Sequence, residues 1–421
     1  VFYEGKLMKK AIILILSTAL IYGCGSSNDA DRQDALPLAT HVIDTAISEG
    51  ELHFAVAAVG NTSGQLWSHS AGHRDAQKTS VAANDNIIQI ASMTKLITTI
   101  GALQLVEQGV LDLDTPITAY VPQLSELQVL EGFDEQDNPI LENADRAPTV
   151  RELMTHTGGY VYEFWNANAK KASELGVSES LFSGGNYLAA PLAFEAGTAW
   201  EYGINTDWLG VIIERISGQR LSVYFDENIF GPLRMVDTFY ELPQEKMNRS
   251  VTVMARVNDA LIELPTLQPA PMAIGSMAHY SGGGGLYSTV ADYGRVLQML
   301  LNDGVLDGET LLNPETVDSM FANNIGDIQL AALGTVMPEV SNTADMTFGN
   351  PATFGLGLLL HSEGIEGGRK AYSGSWAGLF NSYYWVDRES KTYGIFGTQI
   401  LPFFDAASVD TLLKLEQAVY A

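Results

Sequence analysis

Ile90-Ala91-Ser92-Met93-Thr94-Lys95-Leu96 contains the one place in this chain where a serine stands three residues before a lysine. Beyond it, 96 to 111 is a run of helix formers with apolar side chains at Leu96, Ile97, Ile100, Leu103, Leu105 and Val106. That spacing predicts a buried helix rather than a strand. Positions i and i+3 of a helix share a face about one turn apart, so Ser92 and Lys95 are expected side by side at the helix start. Free backbone N–H groups there favour developing negative charge. A serine hydroxyl is a weak nucleophile and needs an adjacent base. A lysine can be that base, or can lower the pKa of another base, when burial depresses its own pKa. The same pair also occurs on ordinary exposed helices, so its meaning depends on the rest of the chain.

At 421 residues the chain can hold one large domain or two medium ones with substantial cores. An apolar content of 46% and a charged content of 17% are those of a globular protein rather than a disordered one. Acidic side chains number 50 against 23 basic ones, a formal net charge of −27. That field repels phosphate backbones and anionic lipid, which argues against nucleic-acid binding. No internal repeat and no metal-binding signature is present, and the histidines are scattered. No metal or cofactor is therefore expected.

The N-terminal region reads as a leader. Residues 8–23 begin with Met8, Lys9 and Lys10 and continue as an apolar run too short to span a bilayer, the build of a secretory signal peptide. Residues 1–7 are then expected to be a misassigned start. Cys24, the sole cysteine, follows the apolar run directly, and Ile21-Tyr22-Gly23-Cys24 resembles a lipobox with an unusual Tyr22. A lone cysteine excludes a disulfide framework. The expectation is a lipid-anchored protein of the bacterial cell envelope, periplasmic or on the outer membrane. In it, 24–35 carry the acylated Cys24 and a polar tether, and that anchor is the only membrane contact.

The globular part is expected to open with a helix at 36–49 and strands at 53–59 and 65–69 across the turn Asn61-Thr62-Ser63-Gly64. A long, mostly helical and loop region follows to about 280, with helices at 150–155, 206–217 and 221–230. The glycine run Gly282 to Gly285 leads into a helix at 289–302. Strand-like segments return at 354–361, 367–373, 382–386 and 393–399, before a last helix at 406–420. Strands at both ends with helices between them imply an α/β (α+β) architecture: one antiparallel sheet flanked by helices, plus a mostly helical subdomain. The expected division is 36–115 with 280–421 for the sheet part and 116–279 for the helical part, with the site at their junction.

Several short segments in this order resemble one family, the penicillin-recognising serine hydrolases, and within it the family VIII carboxylesterases related to class C β-lactamases. They are Ser92-Met93-Thr94-Lys95, Leu153-Met154-Thr155-His156-Thr157-Gly158-Gly159, Phe194 to Tyr202, and Ile229-Phe230-Gly231-Pro232-Leu233-Arg234-Met235. Ser281 to Thr289, Phe354-Gly355-Leu356-Gly357 and Trp376-Ala377-Gly378 complete the set, which covers nearly all of 36–399. The resemblance implies a β-lactamase/transpeptidase-like fold and assigns Tyr202 as the third catalytic residue. Beside Lys95, its phenolate would take the Ser92 proton and later pass it to the leaving alcohol. The resemblance further implies that the backbone N–H groups of Ser92 and Leu379 hold the oxyanion.

Departures from the β-lactamase pattern bear on the substrate. Where those enzymes carry an Asn two residues after the tyrosine, to grip the substrate amide, this chain has Ile204, with Asn205 one residue on. Where they carry Lys-Thr-Gly it has Trp376-Ala377-Gly378, near the Trp-Gly-Gly of the esterases. A Lys there binds a carboxylate and a Trp does not. Lys391-Thr392-Tyr393-Gly394 copies part of the motif but lies beyond it in the chain. Loss of both features points to uncharged esters, in a site lined by Trp376, Phe380 and nearby aromatics such as Tyr160 and Phe164. His156 reads as a structural turn residue, and the Gly282 to Gly285 run as a tight backbone passage beside the site, since it lacks the Gly-Lys-Ser/Thr ending of a phosphate loop.

The expected function is cleavage of short-chain acyl esters through an acyl-enzyme on Ser92, with Lys95 and Tyr202 as the base/acid pair and a small-molecule ester as the partner. An acyl transferase would run the same steps with an alcohol in place of water. A β-lactamase or D-alanyl-D-alanine carboxypeptidase is the alternative within the fold. A non-catalytic lipid-anchored binding protein is the alternative outside enzymes, which the presence of Ser92, Lys95 and Tyr202 disfavours. A Gly-x-Ser-x-Gly hydrolase is excluded because no serine here has glycine at both −2 and +2.

Overall fold

The computed structural model describes residues 36–183 and 185–421. The expected start, leader, Cys24 and the tether lie outside the described residues.

An apolar run flanked by turns forms the centre of the molecule. β1 (Phe54–Asn61, Phe-Ala-Val-Ala-Ala-Val-Gly-Asn) is buried along almost its whole length, which requires cover on both faces. It pairs antiparallel with β2 (Gly64–Gly72) on one side, through the Asn61-Thr62-Ser63-Gly64 turn. On the other side it meets a strand from the far end of the chain, Val56 opposite Gly397 through Asn61 opposite Thr392.

Five further strands complete the sheet: β3 (Ala352–Phe354), β4 (Leu359–His361), β5 (Ser373–Gly378), β6 (Ser382–Asp387) and β7 (Thr392–Gly397). Their order is β3-β4-β5-β6-β7-β1-β2, seven strands paired antiparallel throughout. A sheet built from both termini, as expected from the sequence, is what the chain forms.

The helices that matter to the site are α1 (Pro37–Ser48), α2 (Thr94–Glu107), α3 (Val150–Thr155), α4 (Asn205–Ser217), α5 (Val290–Leu301) and α6 (Ala406–Tyr420). α1 and α6 pack on each other, α1 also meeting β2, while α5 lies along β1, β6 and β7. α2 is buried all round from Thr94 to Leu103 and packs against α4. A helix that is apolar on every side belongs in the interior.

Several boundaries differ from the sequence reading for local reasons. The 354–361 segment is not one strand but the β3–β4 hairpin, turned at Gly355 to Gly357, where Gly357 takes φ +74°. The expected strand at 367–373 starts only at Ser373. Before it, the backbone N–H groups of Arg369 and Lys370 are taken by the Glu416 and Asp387 carboxylates instead of a neighbouring strand. The 221–230 helix breaks into Leu221–Phe225 and a wide turn at Asp226–Phe230. Within 116–279 lie two hairpins unseen in the sequence, Gln128–Phe133 with Pro139–Asn143 and Met254–Val257 with Ala260–Glu263. Acidic and polar side chains interrupt the apolar alternation that would have marked them.

Candidate active site

Ser92 sits in a single 3-10 turn, Ala91–Met93, that leads straight into α2. The helix thus begins at Thr94, two residues earlier than its apolar pattern suggests. Ala91 enters the turn at φ +42°, a left-handed conformation that an L side chain rarely adopts. Such strain concentrates at functional positions, and here it presents the next residue, Ser92, to a cleft.

Lys95, one turn on, is buried and aims its Nζ at three oxygens. It donates to the Gly283 carbonyl at 2.7 Å, to Tyr162 Oη at 2.8 Å and, more loosely, to Ser92 Oγ at 3.4 Å. None of these carries a full charge. Burial therefore dominates and lowers the Lys95 pKa to about 7, opposed only by the more distant Asp207 carboxylate.

Tyr202 reaches the same point from the loop before α4. Its ring lies 4.7 Å from Lys95 Nζ, and its hydroxyl accepts a hydrogen bond from Trp376 Nε1 at 3.0 Å. Burial raises the Tyr202 pKa well beyond that of a free phenol, although hydrogen bonds with Ser92 and Trp376 pull it back in part. The neutral phenol is thus the resting form. The sequence reading has a Tyr202 phenolate, stabilised by Lys95, take the Ser92 proton; burial favours the neutral phenol at rest and brings the Lys95 amine toward the neutral range.

The sequence reading missed Tyr162. Its signal is faint, because nothing in the spacing ties it to a lysine 67 positions away. The fold brings it in through α3, whose N-terminus is closed by a reciprocal pair between the Thr149 and Glu152 side chains and backbones. His156 then turns the chain at φ +59°. Gly203 lets the Tyr202 loop press on this segment: a Cβ there would lie 2.3 Å from the Tyr160 oxygen and 2.3 Å from Val161 Cα. Tyr162 and Tyr202 end with ring centroids 5.4 Å apart, on either side of Lys95.

The remaining expected residues divide clearly. Trp376, Ala377, Gly378, Leu379, Phe164 and Phe380 line the same cleft as Ser92, of about 330 Å³. Gly378 packs against Ile90 so closely that a Cβ would lie 2.3 Å from the Ile90 oxygen, which sets the end of β5 beside the Ser92 turn. Tyr160 does not line the cleft. It lies behind it, with its carbonyl accepting from Asn205 Nδ2 at 2.7 Å. Asn205 is itself fully buried there and is no part of the cleft wall.

His156 is buried against the Tyr202 ring, with centroids 4.5 Å apart. Burial, then the Lys95 charge, holds it well below the ordinary histidine pKa, as a neutral packing group. Lys391 is exposed at the turn between β6 and β7. Gly282 and Gly283 form the tight passage expected of them, their carbonyls accepting from Thr98 Oγ1 at 2.6 Å and from Lys95.

No Asp, Glu, Lys or Arg is among the described residues lining the cleft. Nor, among the described residues, do three His, Cys, Asp or Glu side chains group as a metal site would need.

The beta-lactamase family model matches residues 40–418. The chain belongs to the beta-lactamase family. An acyltransferase, calJ of Penicillium decumbens, is 35% identical over 333 residues, 76% of this chain and 77% of that protein. A lovastatin esterase of Penicillium rubens is 31% identical over 389 residues, 85% of this chain and 91% of that one. The solved structure of unliganded simvastatin synthase from Aspergillus terreus superposes with a TM-score of 0.76 at 27% identity, covering 91% of this chain and 98% of that one. Family and relatives together make this a beta-lactamase-fold enzyme of ester hydrolysis or acyl transfer.

Proposed function

We propose that the protein is a carboxylesterase that cleaves short-chain, uncharged acyl esters through an acyl-enzyme on Ser92. The observation that carries this reading is the placing of Ser92 Oγ 3.4 Å from a buried Lys95 amine, at the floor of an aromatic cleft without charged walls. Lys95, neutral above about pH 7, takes the Ser92 proton as Oγ bonds to the ester carbonyl carbon. The backbone N–H groups of Ser92 and Leu379 receive the oxyanion. As the intermediate collapses and the C–O bond to the alcohol breaks, Tyr202 gives its proton to the leaving oxygen. The phenolate so formed has the Lys95 ammonium over its ring and the Trp376 N–H on its oxygen.

Water then enters, loses a proton to that phenolate and adds to the acyl carbon. The bond to Oγ breaks, and Lys95 returns its proton to Ser92. An alcohol can replace water in this half, and the named acyltransferases among the relatives give that reading weight. The uncharged cleft favours esters over the carboxylate-bearing β-lactams, because among the described residues no Lys or Arg lines it to receive the carboxylate.

The test compares p-nitrophenyl butyrate with nitrocefin for the wild type and Ser92→Ala. Ester hydrolysis lowered by about 10³-fold or more in Ser92→Ala, with slow nitrocefin turnover, is expected. Faster turnover of nitrocefin than of the ester would replace this reading by a β-lactamase. Activity on neither would leave a binding protein.

A further inference from the structure

Asp207 lies in the first turn of α4, is 1% exposed, and belongs to none of the steps above. Its Oδ1 accepts from Ser281 Oγ at 2.5 Å and from Tyr187 Oη at 2.8 Å, while Oδ2 has no hydrogen-bond partner. An unpartnered, buried carboxylate oxygen is costly. What stands next to it is the backbone of Gly283, where a Cβ would lie 2.2 Å from Oδ2. The Gly283 carbonyl is the atom that holds Lys95, and the Gly283 N–H is held at 3.2 Å by the same Ser281 hydroxyl that binds Asp207. One residue, Gly283, therefore stands between the buried carboxylate and the buried amine.

We propose that Asp207 is a positioning residue that acts on Lys95 across the Gly283 peptide, its charge setting the pH at which the lysine gives up its proton. The phenols around the pair and the His156 ring are neutral. Tyr162, Tyr202 and His156 flank Lys95, and Tyr187 and Tyr240 flank Asp207, with His279 packed on Tyr187. Burial holds protons on these phenols, and the Asp207 charge reinforces it at Tyr162, Tyr187, Tyr202 and Tyr240. Among the described residues Asp207 is thus the charge that offsets part of the desolvation of the lysine. Without it the amine would stay neutral to lower pH and the active range would widen toward acid. The coupling stands on the geometry, whereas its catalytic meaning rests on the base role proposed for Lys95.

The test titrates Lys95 directly in the Ser92→Ala background, where no turnover is needed. With lysine carrying 13C at Cε, the Lys95 resonance is assigned by its loss in Lys95→Arg. Asp207→Asn is expected to lower the Lys95 midpoint by about one pH unit, and Asp207→Ser, smaller and also uncharged, by a similar amount. Ser281→Ala, which removes the hydroxyl's bonds to Asp207 and to the Gly283 N–H but keeps the charge, leaves the midpoint in place. An unmoved midpoint in either folded Asp207 variant overturns the proposal. So does an equal fall in Ser281→Ala, which would assign the effect to loop geometry. With Ser92 intact, the acid limb of kcat/KM for p-nitrophenyl butyrate shifts by the same amount. A midpoint that falls while the limb stays put upholds the charge coupling and removes Lys95 from its role as base.

Discussion

Among the described residues Lys95 and Arg369 are the buried members of the Lys and Arg class, and the two regions around them solve opposite problems. Arg369, before β5, meets Glu416 of α6 in a fully buried fork: Nε to Oε1 at 2.8 Å and Nη2 to Oε2 at 2.5 Å, with the Arg369 backbone N–H adding a third bond. Burial pushes the Glu416 carboxyl up, but the Arg369 charge and hydrogen bonds outweigh it and hold the group below the usual carboxylate range. Lys95 is as deeply buried and receives only a carbonyl and two hydroxyls. A direct carboxylate partner fixes a buried charge, whereas neutral partners leave it poised to titrate. The first arrangement ties helix to sheet, and the second suits the base role proposed for Lys95.

Stability should therefore rise with pH at both places, but in different windows. Glu416, depressed in the fold, contributes stability that is present above the ordinary glutamate pKa and lost as pH falls through the folded value. Lys95, also depressed, binds its proton less well folded than unfolded. Stability tied to it rises with pH between about 7 and the ordinary lysine value, and its full cost is present below about 7.

Lys95→Met breaks the contrast most severely. It is expected to lower kcat for p-nitrophenyl butyrate by about 10³-fold and to abolish the rise of kcat/KM through about pH 7. It should also raise the urea midpoint relative to wild type at pH 6, an advantage that shrinks by pH 10. A midpoint lower than wild type at pH 6 would mean that the lysine contributes to the fold rather than straining it.

Glu416→Gln, at the other pole, leaves Arg369 buried against a neutral amide and should cost about 3 kcal/mol in urea unfolding, with kcat unchanged. Loss of activity in the folded variant would show that the two regions are not independent. Tyr162→Phe is the finest probe, removing one of the neutral acceptors of Lys95. A fall in kcat/KM of about tenfold is expected in steady-state kinetics, and an unchanged value would assign the hold on Lys95 to Gly283 alone.

What the sequence disclosed follows the range of each interaction. Ser92 and Lys95 are joined by one helical turn, so their pairing is visible in a seven-residue string. The β1–β2 turn and α5 announce themselves equally locally. Tyr202 and the Trp376 strand required a family pattern, since the loop before α4 and the sheet bring them to Ser92 from far along the chain. Tyr162 and Asp207 escaped because their partners lie across long chain separations, where neither periodicity nor capping leaves a mark. The β5 boundary was misplaced for a related reason. The backbone of 369 and 370 is satisfied by carboxylates from α6 and β6, an event no local propensity encodes.

The sheet that joins both ends of the chain also imposes an order on synthesis. A ribosome emits Ser92, Lys95, Tyr162, Tyr202 and Asp207 well before Trp376 to Leu379, and β1 must wait for β7 before its second edge is covered. Pairings so distant in sequence close slowly and leave apolar edges open meanwhile. The nascent protein thus holds the proposed nucleophile and base while it still lacks the strand that walls the cleft. Turnover can begin only once the last quarter of the chain has docked, so the appearance of activity during translation would clock the closure of the sheet.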